Sequence, residues 1–146
     1  IDSVKQFFHR MDHVGIFMLI AATYTPILLV KMRNPQGLTF LVVIWTLAIS
    51  GAVIKSFFTG RFVRLSTGIY VAMGWLALLL AKPLIDTMGF DGVLWLLAGG
   101  IAYSLGVIPF LWKRLRFHHA IWHLFVMAGS AFHFFGIFRH ILLPLH

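Results

Sequence analysis

Two imidazoles four residues apart open an otherwise apolar stretch: His119 and His123, in FHHAIWHLFVMAGSAFHFF. On a helix, four residues amount to about 40° of rotation and about 6 Å of rise, so both rings can turn toward one ion. That is metal-ligand spacing. Near the start of the chain Asp12, in HRMDHVGIFMLIAATYTP, opens another apolar stretch, and a carboxylate inside a membrane span is costly enough to mark function by default. The chain has no cysteine, so a metal would be held by histidine, carboxylate or water.

Spacing alone leaves a plainer reading open. His119 could be an interfacial imidazole continuing a basic loop, and His123 a buried one bonded to a neighbouring carbonyl. His118 points about 100° away from His119 and reads as surface. His133 lies about 15 Å along the helix from His123, too far to ligate the same ion, and reads as a buried hydrogen-bonding residue. His9 and His13 flank Asp12 on other faces and are expected at the interface, with His140 and His146 among the outer headgroups. Paired membrane histidines also ligate haem, but haem takes its axial ligands from two facing positions, and a pair on one helix suits it poorly.

The elements that must position these residues follow from composition. Hydrophobic residues make up 60 % of the 146 and charged ones 11 %, with a mean hydropathy of +0.93, leaving too little polar surface to coat a soluble globule. The chain reads as an all-α polytopic transmembrane helix bundle. Its apolar segments fall at roughly Asp12–Val30, Leu38–Phe58, Leu65–Ala81, Val93–Phe110 and Ala120–Leu143, five spans of about 17–24 residues each for a hydrocarbon core of about 30 Å. Between them stand Asn34-Pro35-Gln36-Gly37, Thr59-Gly60-Arg61, Lys82-Pro83 with Met88-Gly89, and Trp112-Lys113-Arg114-Leu115-Arg116. No long linker interrupts them, so residues 1–146 are expected to form one domain. Gly100 with Ser104, and Ala128-Gly129-Ser130, would let helices approach closely. Thr23-Tyr24-Thr25-Pro26 would let the first helix bend, with hydroxyls satisfying carbonyls.

The net charge of +8 does not point to nucleic acid, because the basic residues sit in short runs between apolar segments, where they face lipid headgroups. With the N-terminus in the cytoplasm, Lys5, Arg10, Lys55, Arg61, Arg64, Lys113, Arg114 and Arg116 lie inside and Lys31, Arg33, Lys82 and Arg139 outside. This asymmetry favours that orientation. Five crossings then bring Asp12 and the His119/His123 pair to the same leaflet.

FHRMDHVGIFMLIAATYTP, GGIAYSLGVIPF and FHHAIWHLFVMAGSAFHFFGI, in this order, closely resemble the hemolysin III family, the bacterial branch of the superfamily that contains the adiponectin and progestin receptors. The resemblance runs over almost the whole chain. It implies seven transmembrane helices, of which five are represented, and a Zn2+ ion held by three histidines with an aspartate acting on the metal-bound water. By motif, Asp12 matches the aspartate, and His119 and His123 match the two late histidines. The remaining histidine belongs to a helix upstream of the aspartate that has no counterpart here, so two further N-terminal helices are expected. His9 does not replace it by motif.

Two activities follow from the resemblance. The receptor branch resembles metal-dependent lipid hydrolases with ceramidase-like chemistry, whereas bacterial members are described as pore-forming cytolysins. The residues favour hydrolysis of a lipid amide or ester in a bacterial inner membrane, with Asp12 as base or water-orienting group, because a pore calls for polar stripes along several spans and none is visible.

Overall fold

The computed structural model describes residues 2–57 and 63–143. The break Thr59-Gly60-Arg61 and His146 lie outside the described residues, as does the side chain of His9. Helix α1 covers Asp2–Pro26 and runs into a π-helical turn, Ile27–Lys31; α2 covers Pro35–Phe57. Helix α3, Val63–Trp75, passes through a 3-10 segment, Leu76–Leu80, into α4, Ala81–Leu111. Helix α5, His118–Ile137, ends in a second π-helical turn, Phe138–Leu142. No strand occurs among the described residues, as the all-α reading expects. Helices suit long apolar segments in lipid because each satisfies its backbone N–H and C=O groups within its own segment.

Local chemistry sets the helix ends. Asn34 caps α2, its Oδ1 accepting from the Gly37 N–H at 2.9 Å, with Pro35 as the first helical residue, where its missing N–H costs nothing. In the turns before Pro26, the Thr23 and Thr25 hydroxyls donate to the Leu19 and Ala21 carbonyls at 2.8 and 2.9 Å, whereas the carbonyl that Pro26 leaves without its N–H is that of Ala22.

Two compact units divide the chain, Ile1–Met73 and Gly74–His146. In the first, Phe17, Ala21 and Tyr24 on α1 and Leu28 in the π-helical turn form a buried stripe at helical spacing, and Ile44, Ala48 and Ala52 form one on α2. Phe17 lies directly on the backbone of Gly51. The Tyr24 hydroxyl donates to the Met73 carbonyl at 3.0 Å, and Trp45 Nε1 to Thr25 Oγ1 at 3.1 Å. The rest of α2 presents Val42, Val43, Ile49, Val53 and Ile54 outward, a face suited to lipid and unsuited to water.

Glycines shape the second unit. On α4, Gly92, Gly99 and Gly106 recur every seven residues and receive His140, His133 and the Trp122/Phe125 pair of α5 and its extension; Gly129 and Gly136 of α5 receive Tyr103 and Trp95. Lipid gives helices no hydrophobic reason to associate, so close packing over small residues has to supply it. Gly129 serves as expected, but Gly100 does not: a Cβ there would meet only Trp75, at 3.8 Å. A methyl at Gly99 would fall on the His133 ring. Gly99→Ala should therefore destabilise the protein by about 1–3 kcal/mol. Gly100→Ala should be neutral or gain up to about 1 kcal/mol in helix propensity. Thermal melting of both variants in detergent checks the pair, and equal melting points would refute the packing assignment.

Four helical stretches among the described residues are long and apolar enough to cross a membrane, where the sequence predicts five: Arg10–Lys31, Pro35–Phe57, Val63–Leu111 and His118–Leu142. The difference lies in the third, in which the expected segments Leu65–Ala81 and Val93–Phe110 belong to helices that meet at a single non-helical residue, Gly89, and not at a loop. At 49 residues it would be about 70 Å long if straight, more than twice the hydrocarbon thickness. It is not straight. Gly89 has φ 73° and ψ 170°, outside the helical region and open mainly to glycine. Fourteen residues before it and fifteen after it, the Trp75 indole N–H donates to Ser104 Oγ at 3.0 Å, so the run doubles back at Gly89. Lys82-Pro83 sits within the first turn of α4 instead of breaking it, which proline tolerates there.

Candidate metal centre

The second unit holds the histidine pair. The basic stretch Trp112–Arg116 is not helical, and Phe117 adopts a left-handed conformation (φ 60°) that turns the chain into α5. The Arg116 guanidinium lies over the Phe117 ring, 5.1 Å from its centre. The first turn of α5 then starts at His118, and its carbonyl partner is secured by the Ile121 N–H to Phe117 O bond at 3.0 Å.

One turn of helix brings His119 and His123 together as the spacing requires: their Nε2 atoms are 3.0 Å apart, with the rings edge to face at 85°. Both are half-buried, and Phe110, itself buried against Trp122, lies beside His119. Two Nε2 atoms at this distance either share a proton or turn both lone pairs on one cation. Zinc–nitrogen bonds of about 2.0–2.1 Å at a tetrahedral angle would set them about 3.3 Å apart, a few tenths of an ångström from the separation seen. The pair fits zinc.

His133 stands apart from this pair. Its Nε2 meets the Leu96 carbonyl at 3.0 Å, so Nε2 carries the proton, and its ring lies beside Tyr103, whose hydroxyl pairs with Ser130 Oγ at 2.8 Å. It is the hydrogen-bonded interior residue the sequence indicated. His140 is packed over Gly92, and His118 is half-buried beside His119, less exposed than a surface residue.

Asp12 belongs to the first unit, half-buried on α1. Its neighbour His13, which the sequence reading leaves on the interfacial surface, is packed inside the unit at 1 % exposure. His13 Nδ1 lies 3.2 Å from the Tyr70 hydroxyl, and Tyr70 stands within electrostatic reach of the Asp12 carboxylate. Lys55, counted above with the cytoplasmic charges, is also buried, its Nζ donating to Ser66 Oγ at 3.0 Å. A cation inside an apolar helix, in GAVIKSFF, is the sequence signal for this cluster. Asp12, His119 and His123 offer the carboxylate and imidazole donors that a metal ion takes.

The Haemolysin-III related family model matches residues 1–134. The chain belongs to this family. Hemolysin-3 of Bacillus cereus is 51 % identical over 139 residues, covering 95 % of this chain and 64 % of its own length. The Hemolysin-3 homolog of Bacillus subtilis (strain 168) is 48 % identical over 133 residues, 91 % of this chain and 62 % of that protein. Monocyte to macrophage differentiation factor of Homo sapiens is 31 % identical over 140 residues, 95 % of this chain and 58 % of that protein. The chain thus spans about three-fifths of the length of the curated relatives it matches. No solved structure matches it. Family membership and the long apolar helices together make this hemolysin III chain an integral membrane protein.

Proposed function

We propose that this hemolysin III chain contributes Asp12, His119 and His123 to a zinc-dependent hydrolase that cleaves a lipid amide or ester, with residues 1–146 forming one transmembrane domain. The observation that carries the reading is the 3.0 Å approach of His119 Nε2 and His123 Nε2 at the start of an apolar helix. A zinc ion held there would polarise a carbonyl and bring the pKa of water toward about 7. His119 and His123 act as ligands. An Asp12 carboxylate oxygen accepts the proton of the attacking water and returns it to the leaving nitrogen or oxygen, so the group ends as it began. Half-burial of all three residues suits a reaction on a substrate delivered from the bilayer.

The alternative is the pore that the name of the Bacillus cereus relative, Hemolysin-3, suggests. The deciding experiment sets hydrolysis of a fluorescent ceramide by the intact protein against dye release from liposomes, with Asp12→Asn as the dividing variant.

The membrane is proposed to be the bacterial inner membrane, from helical spans and two Bacillus relatives, with the N-terminus in the cytoplasm, from the basic asymmetry. Reporter fusions after Arg33 and Lys82 should then read outside and fusions after Gly60 and Arg114 inside; the reverse pattern would refute the orientation.

A further inference from the structure

Three helices of the first unit meet through three pairs of residues, each pair one helical turn apart: His13 and Phe17 on α1, Gly51 and Lys55 on α2, Ser66 and Tyr70 on α3. Polar atoms run through this junction without interruption. Lys55 Nζ donates to Ser66 Oγ at 3.0 Å, Ser66 is hydrogen-bonded to Tyr70, and the Tyr70 hydroxyl reaches His13 Nδ1 at 3.2 Å. Apolar atoms run alongside, with Phe17 lying on Gly51 and its ring meeting Tyr70 edge-on, centroids 4.6 Å apart. All four polar members are buried, at 4 % exposure for Lys55, 8 % for Ser66, 5 % for Tyr70 and 1 % for His13.

Packing alone does not call for this. A buried ammonium and imidazole in an apolar bundle are expensive, and leucine or methionine would fill the same volume at lower cost. What a hydrogen-bonded string adds is a fixed rotational setting, because its geometry is satisfied at one angle of α1 and lost at others. Asp12 precedes His13 by about 100° around α1, so the angle that seats His13 on Tyr70 also fixes the direction of the Asp12 carboxylate.

We infer that Lys55, Ser66 and Tyr70 are positioning residues that set the rotation of α1 through His13 and so aim the Asp12 carboxylate. This rests on the hydrolase reading proposed above, in which Asp12 is the base, and adds to it the residues that hold the base in place. Misplacing a catalytic group by about 1 Å costs up to 10²-fold in rate.

Tyr70→Phe tests this in the intact protein, because it removes the hydroxyl and keeps the ring against Phe17. Hydrolysis of a fluorescent ceramide should show kcat reduced by roughly 10- to 100-fold with KM little changed. In an Asp12→Asn background the same change should cost nothing further, since residues acting as one unit are not additive. Cobalt(II) loaded in place of zinc supplies a reading independent of turnover: its visible bands should shift in Tyr70→Phe, and not when Asp12→Asn is already present. Ser66→Ala should reproduce Tyr70→Phe, and Ser66→Thr, which keeps a hydroxyl, should restore rate and spectrum.

Wild-type kcat and wild-type cobalt bands in both Tyr70→Phe and Ser66→Ala, beside an impaired Asp12→Asn, would overturn the positioning role and leave the hydrolase reading intact. Additive losses in the double variant would overturn it too. A wild-type protein that neither hydrolyses ceramide nor takes up cobalt would remove the hydrolase reading, and the inference with it.

Discussion

His119→Ala and His123→Ala should each strip the intact protein of stoichiometric zinc, whereas His133→Ala and His140→Ala should keep it. The first two each delete one of two nitrogens held 3.0 Å apart, and a single remaining imidazole leaves the ion short of the three protein ligands typical of a catalytic site. Losing an outer partner of a ligand typically costs 10–100-fold in affinity, and losing a ligand itself should cost more. His133 is committed to the Leu96 carbonyl and lies about 15 Å along α5 from His123, so its removal should be felt as lost packing over Gly99. Elemental analysis of the purified variants gives the answer directly. Equal zinc in all four would return the pair to an ordinary interfacial hydrogen bond.

Asp12→Asn should divide an enzyme from a pore. Asparagine keeps the size of the side chain and removes its capacity to take a proton, so metal content and fold should survive while hydrolysis of a lipid amide or ester falls by roughly 10²–10⁴-fold. A pore has no use for a base at that position. Undetectable hydrolysis in wild type and variant alike, together with dye release and ion-dependent conductance from wild-type protein in liposomes, would dismiss the hydrolase and establish the cytolysin.

Much of this was legible in the residues. Helix class and membrane location follow from apolar run length, and the His119/His123 contact follows from helical periodicity, which needs no tertiary information. The 3.0 Å bond between His133 and Leu96 was foreseen in kind, but its partner was not, because a backbone carbonyl carries no signature in sequence. Three features escaped for physical reasons. Gly89 was read as part of a loop, yet a single left-handed residue turns the chain, so helix runs to it from both sides. Gly100 and Ser104 matched a small-residue spacing, but the helix face that α5 meets is the one bearing Gly92, Gly99 and Gly106, a seven-residue repeat that only the packing singles out. His13 and Lys55 sit near span ends, where polar side chains ordinarily reach water. Their burial depends on Tyr70 and Ser66 arriving from α3, a pairing across 57 and 11 residues respectively that no local pattern encodes.

The reversal at Gly89 also constrains how the chain enters the membrane. Ordinary neighbouring spans are separated by a polar loop, and each can be released into lipid as it emerges from the translocon. Here the two helices that meet at Gly89 are separated by no such loop, and the indole of Trp75 has its partner only once Ser104 has been synthesised. The helices on either side of Gly89 therefore complete this contact only as a hairpin. Lys82 and Asp86, ion-paired at 3.0 Å, lie seven and three residues before the bend and Asp91 two after it, so the charges of the hairpin gather near its tip.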